Sequence, residues 1–299
     1  MKLKNIALYL LAAGMLSTSC LSEDYSDCYN VYTLELSYLG DGTTEIFPQK
    51  IDQVQMYVFD ESNACVSSKL LSDAEVAAQK VTLPPLDAGD YRIVCIGNNY
   101  KTKVENITSG DYKQIRFADE SYLAGEQVNG NDPLYYASMI YSIAPYDPMQ
   151  AMETSRKIYF ASSHYDITVD VVGVPPITKA YGYPVIELVG VSPYTDFENK
   201  AVGDPTTYIM DTKHDGKITL KGANNIMRHT NHEDVYLRVR TYGGDLLAEV
   251  NFAQWLELHK NEIDCTKNEV IIPFQVEFSN VGVKITLPEW YVEYIKPIF

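Results

Sequence analysis

Apolar and polar residues alternate along much of this chain. Tyr32-Thr33-Leu34-Glu35-Leu36-Ser37-Tyr38 has period two, the spacing of a half-buried β-strand. Val54 to Phe59 repeats it, with Val54, Met56 and Val58 on one face, and Cys65 to Leu71 reads as the return strand after the turn Asp60-Glu61-Ser62-Asn63. Ser72-Asp73-Ala74-Glu75 is a capping-box pattern and predicts a short helix over Asp73 to Gln79. Further strands are predicted at Lys80–Leu83, Tyr91–Ile96 and Leu134–Ile143, with residues 100–133 between them as a long decorated loop.

Ala144-Pro145-Tyr146-Asp147-Pro148 interrupts the pattern, which then restarts. Strands are expected at Lys157–Ala161, His164–Val172, Pro184–Val191, Thr206–Met210, Lys217–Lys221, Val235–Tyr242 and Leu246–Phe252. A helical turn follows at Trp255–Lys260, and strands at Val270–Val276 and Val281–Leu287 end the series. Pro273 inside its strand argues for an edge or a bulge there. Many short strands separated by turn signals, with almost no helical periodicity, specify an all-β protein built from sandwiches.

The first twenty residues follow other rules. Met1-Lys2-Leu3-Lys4-Asn5 is a basic head, Ile6 to Leu16 is an apolar run, and Ser17, Thr18 and Ser19 precede Cys20. This is a secretory signal with a cysteine at the one place where lipidation needs it. The apolar run is shorter than the ~20 residues that span a bilayer. Cys20 is therefore the expected lipidation site and mature N-terminus. Ser22, Glu23 and Asp24 directly behind it resemble the acidic surface-export signal of Bacteroidales-type lipoproteins. The expected organisation is a signal over 1–19, a lipidated tether over 20–30, a first sandwich over 31–147 and a second over 148–299. That gives two domains of ~140 residues, a common size.

Charge narrows the partners. The chain has a net charge of −16, and losing Lys2 and Lys4 with the signal takes it to −18. Nucleic-acid binding, which uses Lys and Arg to neutralise phosphate, does not fit, nor does docking on anionic lipid. There are 24 Tyr against 9 Phe and 2 Trp, a balance suited to strands with one wet face. Of the five cysteines, Cys20 is assigned to lipid, and Cys65 with Cys95 is the pairing favoured among three possible, with unpaired thiols as the alternative.

Four features, in order, carry a family resemblance. They are the lipobox at Cys20, the closely following Cys28, Val54-x-Met56-Tyr57-Val58-Phe59-Asp60, and Leu83-Pro84-Pro85-Leu86-Asp87-Ala88-Gly89-Asp90-Tyr91 running into Gly97-Asn98-Asn99. Together they resemble the fimbrial anchor and assembly lipoproteins of Bacteroidales, which are related to the fimbrillins of type V pili. The Val281 to Trp290 segment is consistent with that family's C-terminal strand. One departure is Ile93-Val94-Cys95-Ile96 before Gly97, where the family often carries Trp. The resemblance implies two tandem transthyretin-like β-sandwiches. It also implies a lipoprotein of the outer membrane, at the base of a fimbrium (pilus), that fixes the fimbria through contact with stalk subunits and influences its assembly or length. The expected contact strand carries Val281, Val283, Ile285 and Leu287, followed by Trp290; the alternative is an ordinary last core strand.

Catalytic and metal signatures do not emerge. His229-Thr230-Asn231-His232-Glu233-Asp234 lacks the Glu placement and helix of a zinc motif, and Asp211-Thr212-Lys213-His214-Asp215-Gly216 lacks the closing Glu of a calcium loop. No GxSxG, P-loop or dinucleotide fingerprint is present, so no enzyme activity, metal or cofactor is expected. The competing reading is a surface glycan-binding lipoprotein, for which Trp255 and Trp290 are the available tryptophan platforms.

Overall fold

The computed structural model describes residues 30–147, 153–173, 182–215, 218–229 and 231–295. Cys20, Ser22, Glu23, Asp24 and Cys28 lie outside the described residues, as does most of the lipidated tether.

The first unit runs β1 (Val31–Ser37), α1 (Phe47–Lys50), β2 (Val54–Phe59), β3 (Cys65–Leu70), α2 (Asp73–Ala77), β4 (Lys80–Thr82) and β5 (Gly89–Gly97). After β6 (Thr102–Glu105), β7 (Arg116–Asp119) and α3 (Glu120–Leu123) it resumes with β8 (Tyr135–Ile143), β9 (Glu153–Tyr159) and β10 (Ala161–Ser162). A three-stranded sheet β4-β1-β9 packs on a five-stranded sheet β10-β8-β5-β2-β3. Leu34, Leu36, Val81 and Ile158 from one sheet meet Val54, Met56, Val58, Ile93 and Tyr141 from the other, all buried. Alternation explains this core, because every second residue of β2 faces the opposing sheet. The capping box forms as expected: Ser72 Oγ accepts from the Glu75 N–H, and Glu75 Oε2 accepts from the Ser72 N–H at 2.9 Å.

The second unit comprises β11 (His164–Val172), β12 (Val185–Val191), β13 (Tyr194–Asp196), β14 (Ala201–Val202), β15 (Thr206–Ile209), β16 (Thr212–His214), β17 (Thr219–Met227) and β18 (Tyr236–Arg240). It ends with β19 (Leu246–Asn251), α4 (Phe252–Leu258), β20 (Ile271–Ser279), β21 (Gly282–Thr286) and α5 (Glu289–Ile295). Sheet β16-β17-β11-β20-β21 packs on sheet β15-β12-β18-β19. Val169, Val171, Ile272 and Phe274 face Ile186, Leu188, Leu237 and Val239 across its core. Each sandwich repeats one device: its first strand is flanked by an antiparallel partner and a parallel one, β4 and β9 around β1, β17 and β20 around β11.

Two sequence expectations are corrected and a third is met. First, β9 and β10, which fall after residue 147, belong to the first sandwich. β9 runs parallel to β1 from Val31↔Glu153 to Ser37↔Tyr159, so the first unit extends to Ser162.

Second, residues 100–133 are not one loop. β6 and β7 pair there, and β7 pairs with β13 of the second unit to form a four-stranded sheet β14-β13-β7-β6. This layer covers the outer face of β2 and β5, where Tyr57, Phe59, Val94 and Ile96 pack with Phe117 and Phe197.

Third, the edge expected at Pro273 is met locally, although β20 as a whole lies between β11 and β21. Its rungs with β21 begin at Gln275↔Thr286, so Pro273 lies where β21 has already ended and its missing N–H breaks no rung on that side.

Candidate interaction surfaces

The expected contact strand is an edge strand. Among the described residues β21 pairs only with β20, leaving one side of its backbone without a ladder. Val283, Ile285 and Leu287 share one face by their spacing. Ile285 and Leu287 pack onto the second core, whereas Val283 is 44% exposed and Val281, in the turn before β21, is 97% exposed. The apolar row therefore runs past the end of the sandwich. The structure brings Val281 and Val283 together as open surface and assigns Ile285 and Leu287 to packing. Trp290 stands apart on α5, 42% exposed, its indole N–H donating to Asp170 Oδ2 at 3.3 Å. The next residue, Tyr291, is buried, and its hydroxyl donates to the Glu262 carbonyl at 3.0 Å. The last helix is thus part of the second core.

Cys65 and Cys95 are free thiols, which corrects the favoured disulfide. They lie on opposite faces of one sheet. Cys95 is opposite Met56 and enters the inter-sheet core, whereas Cys65 is opposite Phe59, across a bulge, and packs with the outer aromatic layer. A bond between them would have to pass through the sheet. Burial pushes the Cys95 thiol up to about 12.

The histidine segment is structural. The Ser192 N–H donates to His229 Nε2 at 3.2 Å, and burial, then nearby His232, hold His229 down to about 4. Among the described residues no group of three or more His, Cys, Asp or Glu side chains is placed to hold a metal.

Sequence reasoning missed the groups that fix the two sandwiches together. The segment before β20 docks on the first unit. Glu269 accepts from the Tyr38 hydroxyl and pairs with Lys50, and Asp41 accepts from the Asn268 and Glu269 N–H groups at 2.8 and 3.0 Å. Within the second sandwich, Arg228 holds that docking segment in place, donating to the His164 carbonyl at 3.1 Å and to the Asn268 carbonyl at 2.5 Å. These are non-local partners, and single residues in loops carry no periodic signal.

A profile of the fimbrillin-A associated anchor proteins Mfa1 and Mfa2 matches residues 25–296. The chain belongs to this family. Membership makes it a fimbria-associated anchor protein of the cell surface, a structural role for which no catalysis is described. The solved structures that resemble it share its fold at low identity. A candidate adhesin from Bacteroides ovatus is 15% identical with a TM-score of 0.68, covering 88% of this chain and 95% of that one. The fimbrial anchor protein Mfa2 from Porphyromonas gingivalis is 16% identical with a TM-score of 0.64, covering 87% and 96%. A candidate adhesin from Bacteroides thetaiotaomicron is 14% identical with a TM-score of 0.63, covering 86% and 96%. No curated protein matches the chain. Among the described residues no helix is long and apolar enough to cross a membrane.

Proposed function

We propose that this protein is the lipid-anchored base of a fimbria. Cys20 carries the acyl chains that hold it in the outer membrane, and residues 20–30 are the tether. Ser22, Glu23 and Asp24 direct it to the cell surface. Burial of acyl CH₂ groups at ~0.8 kcal/mol each makes multi-chain anchoring durable without a membrane-spanning helix. The free edge of β21 is the observation that supports a strand-mediated contact with a stalk subunit. Its unpaired N–H and C=O groups accept an added strand, and Val281 and Val283 offer apolar surface beside it. Holding the basal stalk subunit in this way also sets whether the fimbria is retained and how long it grows.

The test is Cys20→Ala in the native host, read by where fimbriae appear. Fimbriae shed into the medium, or abnormally long, are the expected result. Fimbriae unchanged on the cell would overturn the anchor reading. For the edge, Val281→Asp with Val283→Asp is preferable to truncation after Leu287, which would remove the buried Tyr291 and open the core. The expected outcome is loss of co-purifying stalk subunit with the melting temperature kept; retained co-purification would move the contact elsewhere.

A further inference from the structure

The outer face of the five-stranded sheet in the second sandwich is hollow. A cavity of about 620 Å³ opens there, within the range of ligand sites, roughly 300–1,000 Å³. Its floor is set by register. Thr168 on β11 lies opposite Ala223 on β17, and the small Ala223 leaves the sheet surface uncovered. Two rungs further along, on the same face, Asp170, Lys221 and Lys213 form a row across β11, β17 and β16. Trp290 forms the wall on the α5 side. Its indole is oriented by the N–H bond to Asp170, whose other oxygen lies 3.6 Å from Lys221 Nζ. Asp211 and His214 line the far side, and the His214 ring is stacked on Tyr183 with centroids 4.6 Å apart.

Two properties of this cavity define a ligand. Carboxylates and ammonium groups are interspersed, so no single charge sign dominates, which disfavours a polyanion or a polycation. A ligand that both donates and accepts hydrogen bonds over its whole rim satisfies such a lining, because Asp accepts and Lys donates. The one half-exposed tryptophan of the described chain stands beside them; the other, Trp255, is in the core. An indole face pairs with an apolar C–H face of a ligand whose other edge is polar.

We infer that this cavity is a saccharide-binding site for a neutral oligosaccharide. A pyranose ring stacks on Trp290, and its hydroxyls bond to Asp170, Asp211, Lys213 and Lys221. The site lies apart from the free edge of β21 and would give the protein a ligand-binding activity in addition to anchoring. The inference does not depend on the anchor reading, since it concerns the isolated protein.

Titration of the purified protein with a panel of neutral gluco-, galacto- and manno-oligosaccharides tests it. The panel includes chains of the type found on eukaryotic glycoproteins and chains from bacterial polysaccharides, which separates the two sources. Tryptophan fluorescence and calorimetry are the readouts, because Trp290 is the solvent-accessible tryptophan of the described chain. Saturable binding by at least one neutral oligosaccharide is expected, weakened about tenfold or more by Trp290→Ala, the scale of one lost aromatic contact. Asp211→Asn is a second variant that leaves the aromatic wall untouched, and it should weaken binding with the melting temperature unchanged. Absence of binding across the panel overturns the proposal. So does binding that Trp290→Ala and Asp211→Asn leave intact, or protection of Trp290 by a stalk subunit with no response to any saccharide.

Discussion

The Tyr38 hydroxyl of the first sandwich donates to the Glu269 carboxylate of the second. Lys50 pairs with the same carboxylate, and Tyr135 approaches it at 3.4 Å. Burial alone would raise the Glu269 carboxyl, but the hydrogen bonds from Lys50 and Tyr38 outweigh it and hold Glu269 below its ordinary value. Burial and the Glu269 carboxylate together push Tyr38 well above the ordinary tyrosine range, so the phenol is the donor at every physiological pH.

Glu269→Ala should therefore loosen the join between the sandwiches. It leaves the Tyr38 hydroxyl without its acceptor, a loss of about 1–3 kcal/mol. Glu269→Gln keeps an acceptor and should cost less. Because the folded carboxyl is depressed, its contribution is present above the unfolded glutamate value and is lost as pH falls through the folded one. Urea denaturation of the wild type across acidic pH should show this decline, and Glu269→Gln should flatten it. An unchanged midpoint in Glu269→Ala would show that the contact contributes nothing to stability.

Phe197 supplies a second join. Its ring is edge-on to Tyr57 at 5.3 Å, Phe59 at 5.7 Å, Tyr112 at 5.8 Å and Phe117 at 6.0 Å. Its carbonyl also accepts from the Tyr136 hydroxyl at 2.6 Å. Phe197→Ala should cost about 3–5 kcal/mol, the range for a buried aromatic. The cost should fall on the coupling between units, so that one calorimetric transition becomes two. A single transition at an unshifted temperature would contradict it.

Such joins explain what the sequence conveyed and what it withheld. Long strands with clean alternation, β2, β5, β11 and β20, are legible because one face meets a core and the next residue meets solvent or a second layer. The capping box at Ser72 is legible because both partners lie within one turn. β6, β7, β13 and β14 are two to four residues long, too short for a period to register, and the sheet that unites them depends on β7 pairing with β13 about eighty positions away. The parallel match of β1 with β9 is equally non-local, which is why the proline-rich stretch near residue 147 looked like a boundary. Of the interaction surface, the alternation of Val281 to Leu287 was readable. The hollow beneath Trp290 was not, because it depends on which strand Ala223 happens to oppose.

Thiol chemistry checks the separation of Cys65 and Cys95. With Cys95 fully inside the first core and its thiol raised to about 12, alkylation of the folded protein should leave it unmodified. Unfolding in urea should expose it to the same reagent. Mass mapping after non-reducing digestion should recover Cys65 and Cys95 on separate peptides; a linked peptide would contradict the opposite-face geometry.

The buried histidines set a pH response of their own. His229 is neutral in the folded protein, held down to about 4 by burial and then by His232, and its Nε2 accepts from the Ser192 N–H. A histidine depressed on folding binds more protons when unfolded, between the ordinary value of about 6.5 and the folded one. Stability should therefore decline as pH falls from near 6.5 towards 4, before the Glu269 contribution begins to fade. His164 and His232 are depressed by burial as well and steepen the same slope. His229→Gln retains a side-chain acceptor for Ser192 without a titrating ring. Its melting temperature should match the wild type less closely at pH 7 than at pH 5, where the wild type has already lost part of its advantage. Equal slopes in the two proteins would remove His229 as a source of the acid sensitivity.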